Sequence, residues 1–199
     1  LSHNLTRADE FGKKHQKRVG SISYTPVINQ DRGDCMVNVR IECKSEFRIY
    51  GRRTWVEQDN EMFGQFWEKC RQEGLTELFR NRRNNLEDTV TNSYAIGVSR
   101  VEKDPANRSF WFYVATESDQ APEGWGLEEY TVPASMWAIF DNYGETVDAL
   151  IEAELYAFEE WLPNSPYVHA NVPEIEAYPP SKIDEVNCYE FWLPIKEGP

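Results

Sequence analysis

Tyr189-Glu190-Phe191-Trp192-Leu193-Pro194-Ile195, near the C-terminal end, is the stretch on which the reading of the whole chain turns. In an extended strand alternate side chains share a face, so Phe191, Leu193 and Ile195 form an apolar set while Glu190 and Trp192 point the other way. A carboxylate beside an indole in such a strand is either an exposed edge residue or a buried acid facing a cation. The segment before it, Pro173-Glu174-Ile175-Glu176-Ala177-Tyr178, repeats the arrangement with Glu176 and Tyr178 two residues apart. An acid next to an aromatic ring suits an organic cation, which is drawn by the charge and by the ring quadrupole together. A solvated edge pair is the plainer reading of both segments.

Outward from these strands the aromatic content stays high. Phe110-Trp111-Phe112-Tyr113-Val114-Ala115 is apolar on both faces, and Met136-Trp137-Ala138-Ile139-Phe140 does the same. A sheet with helices on one face normally alternates apolar and polar residues, so something else covers the second face here. A sandwich core or a dimer contact would do so. So would a ligand cavity lined by Trp111, Tyr113, Trp137 and Trp192.

Val37, Val39, Ile41 and Cys43 alternate with polar residues and predict a strand, followed by a second through Phe47, Ile49 and Trp55. Asp59 or Asn60 can cap a helix whose Met62, Phe63, Phe66, Trp67 and Cys70 lie on one side, ending at Gly74, and a short helix carries Leu75, Leu78 and Phe79. Strands near 93–100 and 109–117 flank an Asp104-Pro105-Ala106-Asn107 turn. A strand through 130–140 leads to Asn142-Tyr143-Gly144. A long helix then puts Val147, Leu150, Ile151, Leu155, Phe158 and Trp161 on one side before Pro163. Strands at 172–178 and 187–195 close the chain. The order strand, helix, strand, strand thus occurs twice, which predicts an α+β fold: pseudo-two-fold duplicated β-α-β-β units forming an antiparallel sheet, helices on one face and a ligand cavity on the other.

Residues 1–35 are polar and aperiodic and read as an extension or linker, with the folded domain at 36–199. The net charge of −13 is uneven: five basic and two acidic residues in 1–30 give +3, leaving −16 for the remainder. Such a field repels phosphate backbones and argues against nucleic-acid contact by this chain. Cys35, Cys43, Cys70 and Cys188 make no CxxC pair, and with no apolar leader or span visible this fits a reduced, cytoplasmic setting. His3, His15 and His169 lack metal-ligand spacing, and His169 reads as a surface residue. Serine-hydrolase, zinc-protease, phosphate-loop and dinucleotide signatures are missing, so neither metal nor cofactor is expected.

Three segments taken together, Glu159-Glu160-Trp161-Leu162-Pro163-Asn164-Ser165-Pro166-Tyr167, Ile175-Glu176-Ala177-Tyr178 and 189–195, resemble in order and spacing the closing motifs of GyrI-like domains. These domains also form the effector-binding part of certain AraC-type regulators, such as Rob. Phe47-Arg48-Ile49-Tyr50-Gly51, Tyr94-Ala95-Ile96-Gly97-Val98 and the stretch from Val132 to Phe140 fit as well. The resemblance spans about 36–199. It implies paired β-α-β-β units around a hydrophobic cavity, a final-strand glutamate (Glu190 by motif position) that binds lipophilic cations, and Glu176 and Tyr178 in the preceding-strand motif. The helix-turn-helix units of a full regulator would need roughly 100 residues ahead of this domain, more than residues 1–35 supply.

The function expected is binding of a small, cationic, aromatic molecule as a sensor, effector-binding module or drug-sequestering protein. An alternative is hydrolysis of reactive, DNA-alkylating compounds in the same cavity, which the resemblance allows because some GyrI-like proteins resemble such hydrolases. A third is an acidic protein-protein module, which leaves the aromatic excess unexplained.

Overall fold

The computed structural model describes residues 22–23, 37–57, 61–82, 89–102, 109–180, 182–183 and 186–199. The helix cap at Asp59 or Asn60, the 104–107 turn and all of 1–35 except 22–23 lie outside these residues. In chain order the elements are β1 (Ile22–Ser23), β2 (Asn38–Lys44), β3 (Phe47–Glu57), α1 (Glu61–Gln72), α2 (Leu75–Arg82), β4 (Ile96–Ser99), β5 (Ser109–Glu117), β6 (Glu128–Val132), β7 (Ser135–Gly144), α3 (Asp148–Leu155), β8 (Tyr167–His169), β9 (Glu174–Ala177), β10 (Lys182–Ile183) and β11 (Val186–Glu197). A π-helical turn, Tyr156–Trp161, and a short 3-10 turn, Leu162–Asn164, continue α3.

The strands form one antiparallel sheet in the order β1-β2-β7-β11-β9-β4-β5-β3-β6, with β8 and β10 paired to β11 off this path. Read inward from either side, β2-β7-β11-β9 mirrors β6-β3-β5-β4. Each half is therefore two strands joined by a short link but not paired with each other, a helical cover and two further strands, with its first strand placed at the edge of the other half. The expected duplication is present, and the exchange of edge strands adds to it.

That exchange forces curvature. β2 and β3 are joined only by Ser45 and Glu46, yet five strands lie between them in the sheet. Six strand spacings in a flat sheet would separate them by ~29 Å. A two-residue link reaches only ~11 Å. Pro133 and Ala134 join β6 to β7 across the same number of strands. The sheet must curl so that its two ends meet, and the buried cluster on its inner face confirms this: Phe47 and Val132 from one end pack with Trp137, Ile139 and Trp192 from the other. This inner core is what covers the second face of the aromatic strands. The stretch expected as a single strand at 130–140 is two, and Asn142 is a buried β7 residue whose amide donates to the Ala149 carbonyl at 3.0 Å.

The helices sit on the outer face in two separate covers. α1 and α2 turn Phe66, Cys70, Leu75 and Phe79 onto Phe110, Phe112 and Val114 of β5. Between them Gly74 adopts φ +80°, a left-handed conformation in which glycine carries no Cβ penalty. α3 and the π-helical turn pack Ala149, Leu150, Ala153 and Ala157 onto Phe140, Phe191 and Leu193. The wider π turn sets Phe158 against Phe191 and Trp161 against Phe140, with ring centroids 5.7 and 5.3 Å apart.

Candidate functional site

A cavity of about 950 Å³ opens between the two helical covers, with residues of β9, β4 and β11 in its floor. It therefore lies on the helix-bearing face, where one cover ends before the other begins. That size is ample for a drug-like ligand.

Glu176 lies at the centre of the floor. Across the sheet it pairs with Phe191 of β11 on one side and Gly97 of β4 on the other. Gly97 is required by this arrangement, because a Cβ there would stand 2.5 Å from Glu176 Oε2 and 2.9 Å from the Phe112 ring. The carboxylate accepts hydrogen bonds from Trp67 Nε1 at 3.2 Å and from the Tyr178 hydroxyl at 2.9 Å. Trp67 and Tyr178 meet edge to face at 5.3 Å, and Tyr189 packs on Tyr178 at 6.0 Å, giving an aromatic wall.

Burial is the largest influence on this carboxyl and pushes its pKa above the ordinary 4.5; the hydrogen bonds from Tyr178 and Trp67 pull the other way, and Glu174 pushes it further up. The Tyr178 hydroxyl is raised well above its usual value, first by burial and then by the adjacent Glu176. Among the described residues no Lys or Arg forms an ion pair with Glu176. The two arginines in the cavity wall, Arg71 and Arg80, pair instead with Glu68 and Glu77 of their own helices, at 3.1 and 3.8 Å.

Of the residues singled out in the sequence, Glu176 and Tyr178 line this cavity. Glu190 and Trp192 do not. Their strand phase is as read, opposite to Phe191, and that phase carries them to the inner face of the curled sheet. Glu190 is 7% exposed and faces a cation, but the cation is the protein's own: Arg40 Nη2 lies 2.6 Å from its Oε1, and Trp192 Nε1 donates to its Oε2 at 2.7 Å. Arg40 also reaches Asp141 at 3.0 Å and Glu42 at 2.8 Å. Burial opposes its charge, yet Glu190 first, then Glu42 and Asp141, outweigh this and raise its pKa. Trp137 and Tyr113 belong to the same inner core as Trp192. Trp111 is at the sheet surface, 37% exposed beneath the Arg53 guanidinium at 4.2 Å.

Sequence reading missed Trp67, Tyr94, Tyr189 and the cavity-facing side of α3. An aromatic residue on the apolar side of an amphipathic helix has the same pattern whether it meets core or cavity. His169, expected at the surface, is largely buried: its Nδ1 accepts the Asn171 N–H at 2.9 Å and its Nε2 faces Glu174 at 3.3 Å. No group of metal-ligating residues occurs among the described residues, and none of their helices is long and apolar enough to cross a membrane.

An α+β domain of two like halves, with an aromatic cavity held between their helical covers, defines a small-molecule-binding class. Residues 37–196 match the family model of the GyrI-like small molecule binding domain, and the chain belongs to this family. Among solved structures it is similar to SAV2435 bound to tetraphenylphosphonium, with TM-score 0.66 and 17% identity over 80% of this chain and 94% of that one. A putative transcription regulation protein from Staphylococcus aureus MU50 gives TM-score 0.60 and 17% identity over 80% and 98%. EcmrR in an EcmrR-DNA complex gives 0.55 and 15% over 81% and 58%. At these identities the likeness is one of fold. No curated protein sequence is significantly similar to the chain.

Proposed function

We propose that the cavity binds a lipophilic, aromatic cation with Glu176 as its charge partner, and that the chain serves as an effector-binding or sequestering module. The carrying observation is the contrast between the two strand glutamates. Glu190 is already matched by Arg40. Glu176, set in a wall of Trp67, Tyr178 and Tyr189, has hydrogen-bond donors but no cation paired with it among the described residues. A desolvated carboxylate of this kind gains most from a ligand that brings positive charge without needing water, and ring faces add to the attraction. The tetraphenylphosphonium bound by the structurally similar SAV2435 has this chemistry. The net charge of −13 favours a cation and disfavours direct contact with nucleic acid.

Titration with tetraphenylphosphonium, followed by Trp fluorescence and by thermal shift, tests the reading. One saturable site and a melting temperature that climbs with ligand concentration are expected. Neither change at ligand concentrations up to solubility would refute it.

A further inference from the structure

The cavity has a second chemical zone that the proposed charge recognition does not use. Along α3 and its flanks, Val147, Ile151 and Leu155 repeat every four residues, so they form one straight row on the helix. All three line the cavity, and they are 48%, 48% and 49% exposed. A soluble helix normally turns such a row into the core. Here the core side of the same helix is filled separately by Ala149, Leu150 and Ala153. Below the row, Leu150 and Phe158 continue the apolar surface down to Phe191, the cross-strand neighbour of Glu176. An aliphatic track thus starts beside the central carboxylate and runs out along the helix.

Resting on the reading that Glu176 takes the positive charge, we infer that the α3 row is a subsite for an unbranched alkyl chain and that the cavity accepts single-chain cationic amphiphiles, the head group on Glu176 and the tail along Val147, Ile151 and Leu155. Eight residues of helix separate Val147 from Leu155, a span of ~12 Å, about the reach of nine extended methylenes. Aliphatic side chains give a flexible tail contact area without demanding ring geometry. The continuity of the track with the carboxylate selects a ligand carrying both groups over an uncharged lipid.

A homologous series of alkyltrimethylammonium salts, from butyl to tetradecyl and each kept below its micelle concentration, tests this by calorimetric titration of the full chain. Affinity is expected to rise by up to ~4-fold per methylene, the transfer value for a buried CH2 group, and to level off near nine or ten carbons. Ile151→Ser and Leu155→Ser lie on a half-exposed row and leave the core intact; each should flatten the slope, whereas loss of a general wall contact would lower affinity by the same factor at every chain length. A slope near zero in the wild-type protein, with tetraphenylphosphonium still bound in a Glu176-dependent way, overturns the alkyl subsite alone. A steep slope unaltered by either substitution overturns it too, by placing the tail elsewhere. Loss of Glu176 dependence for both compounds removes the underlying reading instead.

Discussion

Replacing Glu176 with Gln removes a charge while keeping nearly the same volume, and the surroundings tell what should follow. The wild-type carboxylate accepts from Trp67 Nε1 and Tyr178 Oη; the amide oxygen can still accept from one of them, and the Tyr178 hydroxyl can turn to accept from the new NH2. Packing therefore survives. For a partly desolvated ion pair the lost attraction is about 2–4 kcal/mol, so tetraphenylphosphonium should bind roughly 30- to 1,000-fold more weakly. A neutral triaryl compound of similar shape, triphenylphosphine oxide, should change less than about threefold, under about 1 kcal/mol. The substitution should also leave the melting temperature equal or higher, because burial already disfavours the charged form. Glu190→Gln is the matched control. It takes a partner from Arg40, held at 2.6 Å, and should lower stability by about 1–3 kcal/mol while leaving cation affinity unchanged. Fluorescence titration and thermal melts on the two variants read both quantities. Equal losses for the charged and neutral ligands in Glu176→Gln, or an affinity loss in Glu190→Gln as large as in Glu176→Gln, would refute the assignment.

Other outcomes follow from the same geometry. Because the Glu176 pKa is raised above 4.5, the folded protein holds its proton where the unfolded chain has lost it; this carboxyl's contribution to stability should fall as pH rises from 4.5 through the raised value, while affinity for a permanent cation rises over that window and binding releases a proton, as calorimetry in two buffers of different ionisation enthalpy will show. Gly97→Ala places a methyl 2.5 Å from Glu176 Oε2, so it should cost about 1–3 kcal/mol in a denaturant melt and at least tenfold in cation affinity; wild-type affinity would mean that the carboxylate position does not depend on this neighbour. Removing residues 1–35 takes away the two-residue pairing of Ile22–Ser23 with Ile41 and Arg40 and should leave one cooperative unfolding transition with cation binding intact, checked by circular dichroism and titration.

Local chemistry made part of this site readable. Glu176 and Tyr178 fall on one face by the two-residue period alone, and the same period separates Glu190 from Phe191. The partner of each glutamate was not readable. Arg40 lies 150 residues before Glu190 and reaches it because β2 pairs with β7, which pairs with β11; no local pattern carries that register. Without Arg40, the acid and indole on the last strand have the same signature as a vacant cation site. Run lengths misled in a similar way. The apolar continuity from Tyr130 to Phe140 hid the break at Pro133, although proline is a frequent punctuation in strands. The double aromatic face of β5 signalled a second cover, and the curl that supplies it follows from strand order, which a sequence period does not encode.

The two short links at Ser45–Glu46 and Pro133–Ala134 bear on the autonomy of the halves. Each half lends its leading strand to the other, so a protein cut between Glu117 and Glu128 yields fragments that each lack an edge strand of their own sheet and carry one that fits only their counterpart. Such fragments should be soluble as a reassembled pair and aggregate when separate, since an unpaired edge and an uncovered inner face are exposed together. The same reciprocity means that β2 and β6 do not distinguish their own chain from a second copy. Two chains that open together at high concentration can close on each other's strands, forming an intertwined dimer with every pairing of the monomer preserved.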